Sequence, residues 1–324
     1  MTLAPLATLV DPLDPAAFLA EYWPGRPLVQ PGAPARFAAI PGVDRVRDVR
    51  SALALHRSLV MVVSDGALEA TEGISDRLLT TPERAAAAYR QGATLELDCF
   101  DLHVPELGRA IDRLRVELGL PRGTFHKAIV YASARGGGFK PHFDAYANFV
   151  LHLQGEKEWL IAPNRHVVDP LEHHDLDEPF MSPELAAAWQ GEVIREMPPG
   201  AERVVLRPGT LLFLPRGTWH TTAAASDHSM SLNITFSQPT WLDLVLAEVR
   251  ARLAVLPEWR RLADGCGAED PGRAAIARRQ LAALLERLPA DLGLLELEQV
   301  FSRHSTDHEL FQVANVVFRQ LTRL

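Results

Sequence analysis

The sequence predicts a core of β-strands with helices added at both ends, and three observations carry this prediction. Between Asn148 and Phe236, short apolar runs alternate with glycine and proline turns, as is typical of strands. Before residue 120, apolar residues recur at helical spacing, for example from Pro105 to Leu118. After Trp241 the pattern is helical and no strand pattern remains. We therefore expect a mainly β protein with appended helices.

Capping and breaking signals predict the individual elements. Asp14 and Pro15 begin a helix that Pro24-Gly25 ends. Further helices are predicted from Thr81 to Tyr89, from Pro105 to Leu118 and at Pro183–Trp189, and three more at 241–256, 272–288 and 309–321. Strands are predicted at 59–63, 128–131, 148–153, 159–162, 204–206, 211–214 and 229–236.

Composition restricts the function classes. The chain has 324 residues, of which 47% are hydrophobic, enough for one sizeable core and a smaller appended unit. A net charge of −8 offers no general basic surface to nucleic acid or to an anionic membrane. Cys99 and Cys266 lie far apart, and we find neither a charged leader nor an apolar run of about eighteen residues. We expect a cytoplasmic protein with no direct nucleic-acid or membrane partner.

A short motif predicts a metal site. His142 and Asp144 stand two residues apart, so on an extended strand both side chains leave the same face and can bind one ion. His220, after the apolar run Leu211–Leu214, could supply a third ligand. Two imidazoles and one carboxylate leave other metal positions open, which is the arrangement that non-haem Fe(II) oxygenases use.

A second motif of the same spacing shows that His-x-Asp spacing alone does not identify a metal site. His173-His174-Asp175 lies among proline and acidic residues without apolar alternation, so we predict a loop there that holds no metal. His142 and Asp144 instead lead into two predicted strands, which would hold the ligands rigidly. His152 shares their strand parity and is expected to be a hydrogen-bonded interior histidine, with a cavity-facing position as the alternative.

From about Lys127 to Phe236, the residues resemble the JmjC-type cupin oxygenases. The resemblance rests on G-G-G-F-x-P-H-x-D, then Q-G-E-K-x-W, then R-P-G-x-L-L-F-L-P-R-G-x-x-H, in this order and spacing. Among those proteins the chain is most similar to the ribosomal oxygenases, and more distantly to the asparaginyl hydroxylase of hypoxia-inducible factor. Residues 26–29 resemble the entry strand of the ribosomal oxygenases, which implies a strand there. The resemblance implies a double-stranded β-helix that uses Fe(II), 2-oxoglutarate and dioxygen to hydroxylate a side chain.

By this resemblance, His142, Asp144 and His220 are the iron ligands, and Lys157 pairs with the far carboxylate of 2-oxoglutarate. The pattern around Lys157 alone allows both the barrel interior and solvent, because its neighbours alternate between polar and apolar. A dicarboxylate needs a buried cation, and lysine is scarce in a chain that favours arginine. We therefore expect the interior position.

Three more residues are candidates for the co-substrate site. Asn148 and Asn233 match asparagines that surround the co-substrate in the asparaginyl hydroxylase, and a structural amide is the equal alternative for each. Tyr131 could offer its hydroxyl to the same carboxylate, although a core tyrosine with an exposed hydroxyl is the simpler interpretation.

The resemblance also organises the chain. Residues 1–120 would form an α/β support on the barrel, 121–238 the JmjC/cupin barrel with an insert at 164–203, and 239–324 a helical region. The insert is acidic and follows the hairpin that carries the predicted ligands, so we hypothesise that it selects a basic substrate. Apolar faces on the C-terminal helices, together with the resemblance, indicate a homodimer.

Two function classes remain. The first is an Fe(II)/2-oxoglutarate oxygenase that acts on a protein or peptide side chain, with a free amino acid or another small molecule as the alternative substrate. The second is a cupin that binds metal without catalysis. An open metal face combined with Lys157 favours the enzyme, because a binding module needs no dicarboxylate clamp.

Overall fold

The structure is a computed structural model that describes residues 5–63, 77–122, 124–178 and 180–301. These residues fall into two compact units. The barrel unit contains the described residues up to Leu120 together with Phe125–Gln238. The helical unit contains the described residues from Pro239 onward and the short stretch that begins at Pro121.

Helices and strands alternate along the first half of the barrel unit. In chain order they are α1 (Pro5–Val10), α2 (Pro15–Glu21), β1 (Leu28–Gln30), α3 (Val49–Leu55), β2 (Val60–Val63), β3 (Arg77–Thr80), α4 (Pro82–Arg90), β4 (Thr94–Leu97) and α5 (Pro105–Glu117). The sequence patterns predict α2, α4, α5 and β2, and the resemblance implies β1, whereas neither indicates α1, α3, β3 and β4.

The second half of the barrel unit is rich in strands. It contains β5 (Phe125–Ser133), β6 (Gly138–Phe143), β7 (Ala147–Gln154), β8 (Lys157–Ala162), β9 (His174–Asp175), α6 (Pro183–Ala188), β10 (Glu202–Leu206), β11 (Leu211–Leu214), β12 (Trp219–Ala224) and β13 (Ser229–Ser237). The predicted strands of this region and the short helix α6 are all present.

The strands form two antiparallel sheets. The larger has the order β1-β11-β7-β13-β5-β4-β2-β3, and the smaller has the order β10-β8-β12-β6-β9. Val150 and Leu212 of the larger sheet lie in one apolar cluster with Trp159 and Val204 of the smaller sheet, so the two sheets face each other. Two facing antiparallel sheets with added helices confirm the predicted fold class.

Side-chain alternation gives the central strands of the larger sheet two different faces. Phe149 of β7, Val130 of β5 and Leu232 of β13 belong to the large apolar cluster that also contains the N-terminal helices. Their neighbours in the sequence therefore point toward the smaller sheet. Since these neighbours include many polar residues, the barrel interior is buried and polar at once.

The N-terminal helices cover the outer face of the larger sheet. Phe18 of α2 contacts the rings of Phe149 and Phe213, with centroids 6.0 and 5.3 Å away. Asp14 caps α2, since its carboxylate accepts a hydrogen bond from the backbone N–H of Ala16 at 2.8 Å. The predicted start of this helix is thereby explained by a physical contact.

The insert at 164–203 is anchored to the barrel by an apolar cluster of its own. Val167 and Leu185 are buried there together with Phe143 of β6 and Trp219 of β12. The prediction of a loop at His173-His174-Asp175 is wrong, because His174 and Asp175 form β9 and pair with β6. A strand of two residues is too short to produce the apolar alternation from which strands are recognised.

The helical unit contains α7 (Trp241–Ala254) and α8 (Pro271–Leu292), close to the predicted bounds. Thr240 and Asp243 cap the start of α7 by reciprocal hydrogen bonds. Arg252 of α7 donates to the backbone oxygen of Leu292 at 2.5 Å and so ties the two helices together. The helix predicted at 309–321 lies outside the described residues. None of the helices in the described ranges has the length and apolar content to cross a membrane.

Candidate metal centre

Strand pairing in the smaller sheet brings the three predicted ligands together. His142 on β6 lies directly opposite His220 on β12, and their ring centroids are 4.0 Å apart. Asp144 follows β6 by one residue. One ligand atom from each of the three residues lies within 4.8 Å of the others, and all three residues are buried. Within the described part of the chain, no other group of His, Cys, Asp or Glu has metal-binding geometry.

Backbone carbonyls hold both imidazoles in the orientation that a metal requires. His142 Nδ1 lies 2.7 Å from the carbonyl oxygen of Lys140, and His220 Nδ1 lies 2.9 Å from that of Thr218. Since a carbonyl only accepts hydrogen bonds, each Nδ1 carries the proton and each Nε2 keeps a free lone pair. Burial and the neighbouring His142 lower the pKa of His220 to about 3, which keeps its imidazole neutral.

The two carboxylate oxygens of Asp144 have different surroundings. Oδ2 lies 3.6 Å from His220 Nε2, on the side of the ligand cluster. Oδ1 accepts a hydrogen bond from His173 Nδ1 at 3.0 Å, and the Tyr146 hydroxyl also bonds this carboxylate. Burial disfavours the charge, but the His173 bond and the nearby ligand imidazoles outweigh it and hold the pKa of Asp144 well below its usual range. Asp144 is therefore ionised, with Oδ2 available to a metal.

His173, predicted to lie in a loop away from the metal, bridges two carboxylates next to it. Its Nδ1 contacts Asp144, and its Nε2 lies 3.0 Å from Asp175 Oδ2. Burial lowers the pKa of this imidazole, but the bonds to Asp144 and Asp175 outweigh burial and raise the pKa of His173 to about 10. The pairing of β9 with β6 places His173 beside Asp144, although the two residues are 29 positions apart.

Lys157 lies in the barrel interior, as expected. It is the first residue of β8 and is only 4% exposed. Its Nζ donates a hydrogen bond to Ser133 Oγ at 3.2 Å, and among the described residues no carboxylate forms an ion pair with it. Burial lowers the pKa of Lys157 to about 8. A buried amine without a counter-ion fits a binding site for an anion.

Phe139 connects the lysine with the ligand cluster. Its ring centroid lies 5.6 Å from Lys157 Nζ and 6.3 Å from the centroid of the His142 ring. Tyr131, on the interior face of β5, contacts the same phenyl ring with centroids 5.1 Å apart. The metal cluster, the cation and Tyr131 therefore border one interior region.

Asn148 and Asn233 both lie on interior faces, on β7 and β13. The Asn233 Oδ1 accepts a hydrogen bond from Ser231 Oγ at 2.9 Å, which suits the structural alternative. The Asn148 Oδ1 is buried without a hydrogen-bond partner, so this amide has capacity left for a ligand. His152 is a hydrogen-bonded interior histidine, because its Nε2 lies 3.0 Å from the Gly155 carbonyl.

Two polar residues at the site, Tyr146 and Ser133, escaped the sequence analysis, and a third, His173, was noticed there but assigned to a loop that holds no metal. Tyr146 lies two residues after Asp144 and could have been noticed by its strand parity. Burial, followed by the Asp144 charge, raises the pKa of Tyr146 well above its usual value, so its hydroxyl stays protonated and can donate. Ser133 gave no signal, and the position of His173 beside Asp144 could not be predicted, because only the tertiary fold makes these contacts.

The donor set fits Fe(II). Two imidazole nitrogens and one carboxylate oxygen on one side of an ion leave its other positions open to further ligands. Facing sheets with such a cluster in their interior define a metal-binding cupin.

Comparison with known proteins identifies the family. The model of the JmjC domain family matches residues 110–244. The uncharacterized protein YxbC of Bacillus subtilis (strain 168) is 42% identical over 322 residues, which is 99% of this chain and 97% of that protein. The chain belongs to the JmjC domain family, which confirms the resemblance found in its motifs.

More distant relatives carry functional names. Ribosomal oxygenase 1 of Rattus norvegicus is 29% identical over 223 residues, which cover 64% of this chain and 34% of that protein. The chain thus spans about a third of the length of that relative. The structure of YcfD, a ribosomal oxygenase from Escherichia coli in complex with cobalt and 2-oxoglutarate, matches with a TM-score of 0.44 and 18% identity, covering 86% of this chain and 68% of that one.

Proposed function

We propose that the protein is an Fe(II)- and 2-oxoglutarate-dependent oxygenase that hydroxylates a side chain of a protein or peptide. One observation carries the proposal: the same interior region contains an open three-ligand cluster and Lys157, a buried amine without a counter-ion. Membership in the JmjC family supports oxygenase chemistry in general.

In this proposal His142, Asp144 and His220 hold the iron. Each imidazole offers its Nε2, and Asp144 offers the oxygen that His173 leaves free. Bound Fe(II) and 2-oxoglutarate would supply the activation of dioxygen that hydroxylation needs. The surrounding apolar walls, including Trp159 stacked on His220 with centroids 5.5 Å apart, limit the access of water to the ligands.

Lys157 pairs with the far carboxylate of 2-oxoglutarate. Its amine and the His142 ring both lie near the Phe139 ring, at 5.6 and 6.3 Å from the ring centroid, which supports one dicarboxylate that reaches both the metal and the cation. Tyr131 borders the same region and is a proposed contact of the co-substrate. Asn148 is a proposed contact through its amide nitrogen, because 2-oxoglutarate offers only acceptors and the unpartnered amide oxygen cannot bond to them. Asn233 takes part through its amide nitrogen, since Ser231 already engages its oxygen.

A protein or peptide substrate is favoured by the names of relatives, which include ribosomal oxygenase 1 and a bifunctional lysine-specific demethylase and histidyl-hydroxylase of Dictyostelium discoideum. A free amino acid or another small molecule is the alternative substrate. A non-catalytic metal-binding cupin is the alternative function, and Lys157 disfavours it because metal binding alone needs no buried amine.

We propose further that the substrate is basic beside the modified residue. Strand β9 pairs with the strand of His142, so carboxylates of the insert lie next to the metal site. Asp175 is engaged by His173, and Asp177 pairs with Lys140 at 2.7 Å. The attraction therefore rests chiefly on Glu178, whose side chain is 53% exposed and whose Oε2 lies 4.0 Å from His174 Nδ1, and on the one carboxylate oxygen of Asp177 that Lys140 leaves free.

A homodimer through residues 239–324 is also proposed. Three large apolar side chains of α7 are at least half exposed, namely Trp241, Leu242 and Leu246, and exposed leucines of α8 add to this apolar surface. Both cysteines are free thiols, which supports a reducing compartment such as the cytoplasm.

The central experiment measures Fe(II)-dependent conversion of 2-oxoglutarate to succinate, together with mass spectrometry of lysate proteins and metabolites for added oxygen. We expect turnover by the parent protein and none by His142→Ala, Asp144→Ala or His220→Ala, with circular dichroism unchanged. His228→Ala, at an exposed position, is the matched control. Turnover retained in all three ligand variants would contradict the proposed site, and metal binding without any turnover would favour the non-catalytic cupin.

A further inference from the structure

A carboxylate on β4 faces the barrel interior. Leu95 of this strand belongs to the large apolar cluster on the outer side of the sheet. Thr94, by contrast, donates a hydrogen bond to Ser133 Oγ at 3.2 Å, and the same oxygen accepts from the interior amine of Lys157. Since side chains alternate along a strand, Glu96 shares the interior face with Thr94.

Glu96 borders the same interior region as the metal ligands. In the ladder between β4 and β5 it lies directly opposite Tyr131, whose ring contacts Phe139. The Cβ atoms of such opposite residues are about 4.5 to 5.5 Å apart. Burial raises the pKa of Tyr146 most, and the charge of Glu96 adds to this effect, so Glu96 also lies near the hydroxyl that bonds Asp144. Strand pairing and electrostatics thus place the carboxylate at the same end of the barrel as the ligands.

The charges around Glu96 leave a negative excess. Lys127 lies on the face of β5 that also carries Tyr131, and its Nζ pairs with Asp98 at 2.7 Å. The charges of Asp98 and, less strongly, of Glu96 both stabilise this ammonium group. Two carboxylates against one amine leave one negative charge over. A carboxylate has about four lone-pair positions, so Glu96 has the capacity to bind a further cation.

Aromatic rings beside Glu96 suit the side chain that carries such a cation. An ammonium or guanidinium group is attracted both by a carboxylate and by the face of an aromatic ring such as that of Tyr131. The methylene groups behind the charge pack on apolar surface. Phe139 offers this surface, because its ring contacts Tyr131 on one side and His142 on the other. A lysine or arginine side chain therefore fits with its charged end at β4 and its carbon chain toward the metal ligands.

We propose that Glu96 binds the cationic end of a lysine or arginine side chain that enters the pocket, and that it thereby determines which residue of the substrate is presented to the metal. The inference rests on the proposed function. It gives a role to β4, a strand that the sequence motifs do not include. It also differs from attraction by the insert, which concerns basic residues beside the modified one.

The test is a titration of short peptides into the full-length protein loaded with Mn(II) and 2-oxoglutarate under anaerobic conditions. The paramagnetic metal broadens the proton NMR signals of a peptide that binds beside it, so binding at this site is read without turnover. The peptides carry arginine or lysine between glycines, and each is compared with its uncharged counterpart, which carries citrulline or acetyl-lysine. We expect the parent protein to bind at least one charged peptide about tenfold or more tighter than its counterpart, because the counterpart cannot form the charge-assisted hydrogen bond.

Variants assign this preference to one carboxylate. Glu96→Gln should abolish the preference for the charged peptide, whereas Glu96→Asp should keep part of it, since the charge remains. Glu202→Gln removes an exposed carboxylate of β10 and is the matched control, with the full preference of the parent.

The outcomes separate the inference from the proposed function. A parent protein that binds 2-oxoglutarate but binds charged and uncharged peptides equally overturns the inference alone, as does a Glu96→Gln variant with the preference of the parent. A parent protein that does not bind 2-oxoglutarate at all overturns both. If Glu96→Gln does not fold, as judged by its Mn(II) affinity, Glu96→Asp decides the question: a reduced preference supports the inference and an unchanged one overturns it.

Discussion

Replacing His173 by alanine tests how the ligand cluster is held in place. The substitution removes the 3.0 Å hydrogen bond to Asp144 Oδ1 and leaves Asp175 without its imidazole partner. A hydrogen bond to a charged group contributes about 1.5 to 3 kcal/mol, which corresponds to roughly 10- to 150-fold in a binding constant. Tyr146 still bonds Asp144, so part of the orientation survives. We therefore expect metal affinity to fall about 10- to 100-fold, as for other residues that orient a metal ligand.

The assay is anaerobic calorimetric titration of Fe(II) or Mn(II) into each full-length variant. His173→Asn keeps a side-chain donor and should recover part of the affinity, whereas His228→Ala removes an exposed histidine and should have no effect. Metal affinity of His173→Ala within about twofold of the parent would refute the reasoning, because the contact would then contribute nothing to the cluster. A loss as complete as that of His142→Ala would instead place His173 among the ligands.

The remaining predictions concern the co-substrate, the substrate and the assembly. Lys157→Ala should raise the 2-oxoglutarate requirement about ten- to a hundredfold with little change in iron affinity, and equal requirements in variant and parent would remove Lys157 from the site. Because burial lowers the pKa of Lys157 to about 8, its amine loses its charge as the pH rises through that value. The affinity for 2-oxoglutarate should therefore fall above about pH 8, and Lys157→Arg should abolish this fall because arginine stays charged. Asp177→Asn combined with Glu178→Gln should weaken the binding of a basic substrate mainly at low salt. Asp175 is kept in this variant because it holds His173. Unchanged substrate binding at low salt, or a substrate that is acidic around its modified residue, would count against electrostatic steering by the insert. Light scattering should give a dimeric mass for the full chain and a monomeric mass for Leu246→Glu, and a monomeric parent at micromolar concentration would exclude the proposed interface.

The sequence determined the fold class and most strands, because apolar runs separated by glycine and proline turns are local features. It also singled out His142, Asp144 and His220 as one candidate ligand set. The spacing of His142 and Asp144 predicts that both leave one face of a strand, whereas His220 entered through the resemblance, and only the pairing of β12 with β6 places it opposite His142. The interior position of Lys157 followed from its chemistry, since a dicarboxylate requires a buried cation.

The tertiary structure decided what lies around these residues. His173 reaches Asp144 only because β9 pairs with β6, and Thr94 reaches Ser133 only because β4 pairs with β5. Neither contact could be predicted from the residues around it, because pairing between strands that are distant in sequence depends on the whole sheet. The insert shows the same limit: its composition indicates an acidic loop, yet its apolar residues anchor it, and its carboxylates at Asp169, Glu172, Asp175 and Asp177 already have partners. Sequence spacing thus fixes which side chains share a strand face, whereas the partners that orient and charge them are set by contacts between elements that only the folded chain brings together.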